Sequence, residues 1–569
     1  MYKIEAFTIP ELVAKASEHY AGRPALAMIG EEACRYEDLE PKCRRIAALL
    51  GLLGIAPGDR VAILSENRPE WGFAAFGASL AGSVLVPILA DFTSEQIANI
   101  LEHSGSAALF VSKRFLPKVE AQAGKRLLIG IEDLSLISGR AQPAVSEVDA
   151  AAASYKPPKV EADDLAAIFY TSGTTGRSKG VMLSHRNIIY DAWACRRFIV
   201  PNRRDRFLSI LPIAHTYEFT IGFIIPTMHG SAVYYLDRPP SATALLPALK
   251  AVRPTLVLSV PLVIEKIYRL NIQPALAKMG AYKVPLLRPL LDRLAGLKLM
   301  KTFGGKLRFF GVGGAPIAAD VESFLKSARF PYSIGYGLTE TAPMVAGNKP
   351  GRVKVHTTGV AATGVEMRIG DKRPDTGEGE IQVRGPNVTS GYYKDPEKTR
   401  EIFTEDGWFR TGDLGFMDEG GRVTVRGRIK TMILGASGEN IYPEEIEAVL
   451  NASPYVLESL VYGDEKGLTA LVHLKPEVLE EIGARVKDGI EDAEEAASRL
   501  GHAVEHALGQ AGESLEHAEK AAAHLLDGIR KEANERLAAF SRLRKVQLQV
   551  EPFEKTPKQS IKRFLYPKK

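Results

Sequence analysis

Arg60-Val-Ala-Ile-Leu-Ser65 is a short apolar run that reads as a buried strand. The chain on either side of it alternates. Leu39 to Leu53 carries the three- and four-residue apolar spacing of an amphipathic helix, Glu70 to Ala81 reads as a second helix, and Ser94 to His103 as a third. Val84 to Ile88 and Ala107 to Val111 are short apolar strands between and after them. Helices alternating with short buried strands predict an α/β architecture with largely parallel sheets. The pattern resumes after Asp164 and continues to about Gly347.

From about Gly359 the texture changes. Short strands such as Glu380-Ile-Gln-Val-Arg384 and Val423-Thr-Val425 sit among glycine-rich turns, which predicts a small antiparallel β subdomain. After Gly427 a compact α+β segment begins, with a helix over Pro443 to Asn451 and a strand over Leu468 to Leu474. The expected division is a large α/β domain over residues 1–430 and a smaller α+β domain over 431–569. The smaller one carries a helical insert at about 478–529. That insert is Ala/Glu-rich and acidic, with Ile482, Val486, Ile490, Leu500, Val504 and Leu508 at helical spacing and a turn expected at Gly509 and Gly512. His502, His506, His517 and His524 would share one stripe of a continuous helix, a spacing that can hold a metal. The glycines break that register, so a solvated face is the expectation.

At 569 residues the chain is too long for one compact core. A formal charge of +5 is small for this size and gives no case for nucleic-acid binding. Cys34, Cys43 and Cys195 are scattered, odd in number and without C-x-x-C spacing, which argues against a disulfide framework or zinc site and suits a reducing cytoplasm. The N-terminus lacks the charged-then-apolar layout of an export signal. The uncharged stretch Trp71 to Ala90 is broken by Gly82 and Pro87, so a helix followed by a buried strand explains it better than a bilayer span. Phe219 to Leu236, with Pro226, His229 and Gly230, is a weaker candidate still. No transmembrane helix is expected; peripheral membrane contact is compatible with the composition.

The segment richest in chemistry is Tyr170-Thr-Ser-Gly-Thr-Thr-Gly-Arg-Ser-Lys-Gly-Val181. An apolar strand, Leu165 to Tyr170, runs into a loop of hydroxyl residues and glycines closed by Lys179. Glycines let backbone approach a polyanion, hydroxyls and amides donate to its oxygens, and lysine supplies charge. Such a cluster is also the composition of an ordinary surface turn, but its length, its lysine and the preceding strand favour a phosphate-binding loop. The spacing is not that of a P-loop NTPase.

This loop resembles the signature of the adenylate-forming enzymes, which include acyl-CoA synthetases, luciferases and peptide-synthetase adenylation domains. Further motifs follow in the family's order, so the resemblance spans nearly the whole chain apart from the acidic insert. It implies ATP contacts at Thr171, Ser172, Gly173, Thr174, Thr175, Gly176 and Lys179. Leu211-Pro-Ile-Ala-His-Thr-Tyr-Glu-Phe219 resembles the acyl-site motif, which would set His215 beside the carboxylate being activated. Gly311-Val-Gly-Gly-Ala-Pro316 resembles the turn bordering adenine and the acyl tunnel, through Gly313, Gly314 and Ala315. Tyr336-Gly-Leu-Thr-Glu-Thr341 resembles the motif in which Tyr336 stacks on adenine beside Gly337, Thr339 contacts the α-phosphate and Glu340 holds Mg²⁺. Gly407-Trp-Phe-Arg-Thr-Gly-Asp-Leu-Gly415 resembles the ribose motif, with Asp413 on the hydroxyls, Arg428 as second contact and Lys430 nearby. The hinge of the family falls on Thr431, which implies a mobile C-terminal domain.

Resemblance around Gly427 to Ile446 and at Ala342-Pro-Met implies a long-chain fatty acid as substrate. With it come ATP, Mg²⁺ and CoA, and the overall activity of an acid–thiol ligase. The clearest departure is Glu554-Lys-Thr-Pro-Lys-Gln-Ser-Ile-Lys-Arg563, where Ser560 stands at the position of the family's adenylation lysine. On a strand Lys558 and Lys562 would share a face with Ser560 and can take over that charge. Otherwise adenylation is slow, or the chain binds nucleotide and acyl group without useful turnover. Transfer to an acyl carrier protein instead of CoA is a further alternative.

Overall fold

A computed structural model of the chain describes residues 2–122, 126–138, 141–171, 178–238, 240–434, 440–464, 467–478, 515–555 and 561–566. The described chain divides into two compact units. The first comprises residues 1–372, 381–411 and 416–424; the second comprises 373–380, 412–415 and 425–569.

Two large sheets build the first unit. One has eight strands, ordered Gly391–Tyr392, Lys179–Ser184, Leu165–Thr171, Val84–Ile88, Arg60–Leu64, Ala108–Val111, Leu127–Gly130 and Leu136–Ser138. Its centre is parallel: Arg60–Leu64 pairs with Val84–Ile88 on one side and Ala108–Val111 on the other. Val84–Ile88, near the end of the uncharged stretch Trp71 to Ala90, is a fully buried strand following the helix Pro69–Leu80. Parallel strands covered on both faces read as unbroken apolar runs, which is why this region is so uniformly apolar. Among the described residues no helix is long and apolar enough to cross a membrane.

The second sheet has nine strands, ordered Val360–Ala361, Met344–Gly347, Tyr332–Gly337, Phe309–Val312, Leu256–Ser259, Arg206–Ser209, Ala232–Tyr235, Pro24–Met28 and Cys34–Arg35. Its middle is again parallel. The α/β expectation, with largely parallel sheets, is what the chain adopts. Each sheet also ends its parallel run in an antiparallel return: Leu165–Thr171 turns back into Lys179–Ser184, and Tyr332–Gly337 turns back into Met344–Gly347.

Two expected boundaries moved. The apolar run Leu307 to Phe310, before the Gly311–Pro316 motif, predicts a strand; it forms over Phe309–Val312, because parallel pairing of Leu258 with Gly311 and Ser259 with Val312 draws the glycine into the sheet. The second helix of the acidic segment is Leu515–Arg536, continuing past Ile529 because Ile529 and Ala533 both enter a core with Leu526 and Leu543. The turn at Gly509 and Gly512 lies outside the described residues, as do His502 and His506; His524 is exposed on that helix.

Phe219 to Leu236, the other long apolar stretch, is covered by a π-helix over Tyr217–Ile224, a short helix over Ile225–His229 and the strand Ala232–Tyr235. A four-stranded sheet holds Glu366–Gly370, Gly379–Arg384, Phe409–Met417 and Val423–Arg428 in chain order. In the second unit, Val456–Asp464 pairs antiparallel with Gly467–Leu474, which pairs parallel with Leu543–Leu548. The helix Pro443–Asn451 buries Ile446 and Leu450 in the same core.

Candidate functional site

The motifs of the first unit all fall at the carboxyl ends of strands, where open α/β sheets present backbone groups to ligands. The Ser/Thr/Gly loop joins the two strands of an antiparallel hairpin, and Thr171 and Lys179 face each other as its last paired residues. Ser172, Gly173, Thr174, Thr175 and Gly176 lie outside the described residues. Thr171 and Lys179 are the described ends of the loop.

Beyond Lys179 stands a residue that sequence reading did not single out. Gly391–Tyr392 pairs antiparallel with Lys179–Ser184, setting Tyr392 opposite Val181. The Lys179 Nζ lies 4.9 Å from the centroid of the Tyr392 ring. The Tyr392 hydroxyl in turn donates to Glu340 Oε1 at 2.9 Å. The backbone N–H of Thr389 donates to the Glu340 carbonyl at 2.8 Å, fixing the main chain at the same point. Lysine, ring and carboxylate thus form one line joining the loop to the Tyr336–Thr341 motif.

That motif is held from below. Asp191, fully buried, accepts the Met344 N–H at 3.2 Å and the Asn387 amide at 3.3 Å; burial pushes its carboxyl well above the usual range. Asn387 also donates to the carbonyls of Thr341 at 2.9 Å and Met344 at 2.6 Å. Tyr336 pairs with Ala346 in the returning strand, and Thr339 is buried in the short turn Thr339–Thr341. Gly337 has no alternative, since a Cβ there would strike the Pro343 carbonyl oxygen.

The acyl-motif loop follows the strand Arg206–Ser209. Asn67 secures it, donating to the Leu211 carbonyl at 2.6 Å and accepting the Ile213 N–H at 2.9 Å. His215 Nδ1 accepts the Tyr217 N–H at 3.2 Å. The Tyr217 side chain covers the glycines of the Gly311–Pro316 motif: a Cβ on Gly311 would lie 3.0 Å from its hydroxyl, and one on Gly313 would lie 3.2 Å from its ring. The structure therefore brings His215, Tyr217 and Gly313 together. Gly314 adopts a positive φ of 88°, and Gly314 and Ala315 are exposed.

Glu218 follows Tyr217 in the π-helix. It is buried, with Oε1 accepting the Ser209 hydroxyl at 2.6 Å and Oε2 without a hydrogen-bond partner among the described residues, and burial pushes its carboxyl up to about 8.

Within the second unit, Asp413 is buried and paired with Arg428, whose Nε lies 2.7 Å from Asp413 Oδ1. Asp413 belongs to the strand Phe409–Met417, so the ordinary turn role of aspartate does not account for it. Lys430 is exposed. Thr431 Oγ1 donates to Glu444 Oε1 at 2.8 Å. Of the tail residues, Lys562 Nζ lies 3.1 Å from Glu554 Oε2, and Arg563 pairs with Glu447, whose carboxyl burial pushes up to about 7. Lys558 and Ser560 lie outside the described residues.

Among the described residues no cluster of three or more histidine, cysteine, aspartate or glutamate side chains could hold a metal by itself. A lone carboxylate such as Glu340 nevertheless suits magnesium. That ion is commonly held by one or two carboxylates, substrate phosphates and waters rather than by an all-protein cage.

Loops of hydroxyl and glycine residues at strand ends, a lysine beside them and a supported carboxylate define a nucleotide-binding α/β enzyme. Residues 13–393 match the family described as AMP-binding enzyme. The long-chain-fatty-acid–CoA ligase FadD15 of Mycobacterium bovis is 34% identical over 470 residues, covering 76% of each chain. The chloroplastic long-chain-fatty-acid–[acyl-carrier-protein] ligase AEE15 of Arabidopsis thaliana is 28% identical over 558 residues, covering 82% of this chain and 76% of that one. The crystal structure of ATP-bound MatB from Rhodopseudomonas palustris is similar over 98% of both chains, with a TM-score of 0.72 and 26% identity. The chain belongs to the AMP-binding enzyme family, as an enzyme of the acid–thiol ligase type.

Proposed function

We propose that the protein activates a long-chain fatty acid with ATP and passes the acyl group to CoA. The fatty carboxylate attacks the α-phosphate of ATP, giving an acyl-adenylate and pyrophosphate. The CoA thiolate then attacks the acyl carbon and AMP leaves. A free carboxylate has no comparable leaving group, which is why the mixed anhydride is needed. The observation that carries the reading is the line Lys179–Tyr392–Glu340 beside the hydroxyl-rich loop.

The roles follow from charge and position. Thr171 and Lys179, with Ser172 to Gly176, take the phosphates. Tyr336, Gly337 and the Gly313–Ala315 turn take adenine, and Thr339 takes the α-phosphate. Asp413 accepts from the ribose hydroxyls, with Arg428 and Lys430 alongside. Glu340 would hold Mg²⁺, which would offset phosphate charge when bound. His215 and Tyr217 line the carboxylate end of the acyl site, and the glycines at 311 and 313 let the Tyr217 side chain lie against that strand end. Preorganised charge of this kind supplies most of the rate in such transfers. Lys558 or Lys562 supplies the charge that Ser560 lacks, and rotation about Thr431 would separate the two half-reactions. Similarity to FadD15 supports the substrate class. The three free cysteines are compatible with a cytoplasmic setting.

Likeness to AEE15 supports a second acceptor, an acyl carrier protein. Fatty-acid-dependent pyrophosphate release, followed over several chain lengths with CoA or carrier protein, tests both. Release with fatty acid and CoA is expected; release only with carrier protein moves the assignment to that acceptor. ATP binding without turnover on any acid refutes the proposal and leaves a binding protein. Ser560→Lys should accelerate release, and Lys558→Ala with Lys562→Ala should slow it.

A further inference from the structure

Glu218 takes no part in the reaction steps above, yet its hydrogen bonds lead back to the loop of His215. A carboxyl group buried among apolar side chains is costly unless its contacts repay it. The fold makes room for this one: a Cβ on Gly222, one turn further along the π-helix, would lie 2.6 Å from Glu218 Cδ. π-helical turns are rare and occur frequently at functional sites. Burial holds the Glu218 carboxyl near 8, so at neutral pH it is largely protonated and sets no negative charge against an incoming fatty carboxylate.

A hydroxyl group has one proton to give. Ser209 gives its proton to Glu218 Oε1 at 2.6 Å, so its oxygen accepts the Asn67 amide at 2.9 Å. The same Asn67 nitrogen donates to the Leu211 carbonyl at 2.6 Å, which turns Oδ1 toward the Ile213 N–H at 2.9 Å. Reversing the amide would set oxygen against the Leu211 carbonyl and NH₂ against the Ile213 N–H. Donor directions therefore agree along the whole chain from Glu218 to Ile213. That chain closes a ring around His215. Asn67 pins the loop at Leu211 and Ile213, Glu218 pins it just after Tyr217, and Ser209 joins the two pins. Inside the ring the His215 N–H donates to the Pro212 carbonyl at 3.0 Å, and its carbonyl accepts the Phe219 N–H at 2.9 Å. Its Nδ1 accepts the Tyr217 N–H, so the neutral imidazole carries its proton on Nε2. Ser209 ends a strand of the nine-stranded sheet, while Asn67 follows a strand of the eight-stranded one, so the loop is referred to both sheets at once.

We propose that Glu218 is a positioning residue for acyl-adenylate formation: through Ser209 and Asn67 it fixes the loop Leu211 to Thr216, and with it the His215 ring at the fatty carboxylate. The inference rests on the reaction proposed above.

Ser209→Ala and Glu218→Leu break the chain at two points, whereas Glu218→Gln keeps an oxygen that can accept from Ser209. In fatty-acid-dependent pyrophosphate release, each breaking variant should lose about tenfold in kcat/KM for the acid, the effect of one lost hydrogen bond, with KM for ATP little changed. Glu218→Gln should stay close to wild type. The double variant Ser209→Ala/Glu218→Leu should lose no more than the worse single one, because both cut the same chain. The proposal is overturned by wild-type kinetics in Ser209→Ala, by losses that multiply in the double variant, or by Glu218→Gln as impaired as Glu218→Leu. Equal losses toward ATP and acid also overturn it, reducing Glu218 to a packing residue. Should Glu218→Leu fail to fold, Ser209→Ala, which removes one oxygen atom, decides alone. A second readout needs no turnover: the ring-nitrogen magnetic resonance signals of His215, identified by their loss in His215→Gln, should shift in Ser209→Ala while those of His185 stay in place. Wild type that turns over no acid refutes the reaction; a His215 signal indifferent to Ser209→Ala refutes the positioning.

Discussion

Replacing Tyr392 by phenylalanine removes a single oxygen atom and leaves the ring under Lys179. In the structure that oxygen makes the 2.9 Å hydrogen bond to Glu340, while the ring keeps its 4.9 Å approach to the lysine. Tyr392 is buried, so water does not readily take the place of the lost donor. A hydrogen bond to a charged group is worth about 1.5–3 kcal/mol. At about 1.4 kcal/mol per decade, kcat/KM for acyl-adenylate formation should fall by about 10- to 150-fold. The carboxylate should also need more Mg²⁺, because it is no longer held in one orientation. Fatty-acid-dependent pyrophosphate release, measured across a magnesium titration, reads both effects. Tyr392→Leu should lose further activity, since the cation–ring contact, worth about 0.5–2 kcal/mol, goes as well. Activity and magnesium dependence both equal to wild type in the phenylalanine variant would refute the coupling. A lowered melting midpoint with an unchanged magnesium requirement would reduce Tyr392 to a packing residue.

The remaining predictions concern stability. Glu218 is held near 8 in the folded chain against an ordinary 4.5, so between those values the unfolded chain binds fewer protons and stability erodes as pH rises. Glu218→Gln should therefore gain on wild type in urea midpoints from about pH 5 to about pH 8; parallel curves would contradict the assignment. His185 runs the other way: burial holds it down to about 4 against 6.5, so stability should fall as pH drops through that window, and His185→Gln should flatten the acid limb. Asp191→Ala leaves the Met344 N–H and one contact of the Asn387 amide without their acceptor, at a cost of about 1–3 kcal/mol, which a denaturation curve will show. Gly337→Ala forces a Cβ against the Pro343 carbonyl oxygen and should cost about 1–3 kcal/mol, with adenylation impaired at the adjoining Thr339–Glu340 turn.

How much of this was legible beforehand depended on how local each signal was. Val84–Ile88 and Pro443–Asn451 have the bounds that their apolar patterns predict, because a buried strand and a one-sided helix each write their environment into consecutive residues. The strand Phe309–Val312 takes its limits from pairing with Leu256–Ser259, not from its own composition. The π-helix at Tyr217–Ile224 and the buried Glu218 had no sequence signal beyond an apolar motif. Asp413 was found by its motif, but its pairing with Arg428 required two strands to meet.

By itself the sequence determined the α/β class, the order of the loops and the kind of chemistry they can host, since periodicity, glycine placement and charge are properties of short segments. Only the tertiary structure decided that Tyr392 connects Lys179 to Glu340. A Gly-Tyr pair more than two hundred residues beyond the loop says nothing of its partner until an edge strand settles into register with Val181. Tertiary packing also decided which leucines of Arg288–Thr302 are buried and which face outward. That helix carries leucines on opposite faces, and only contact with the sheet core selects the ones that leave water.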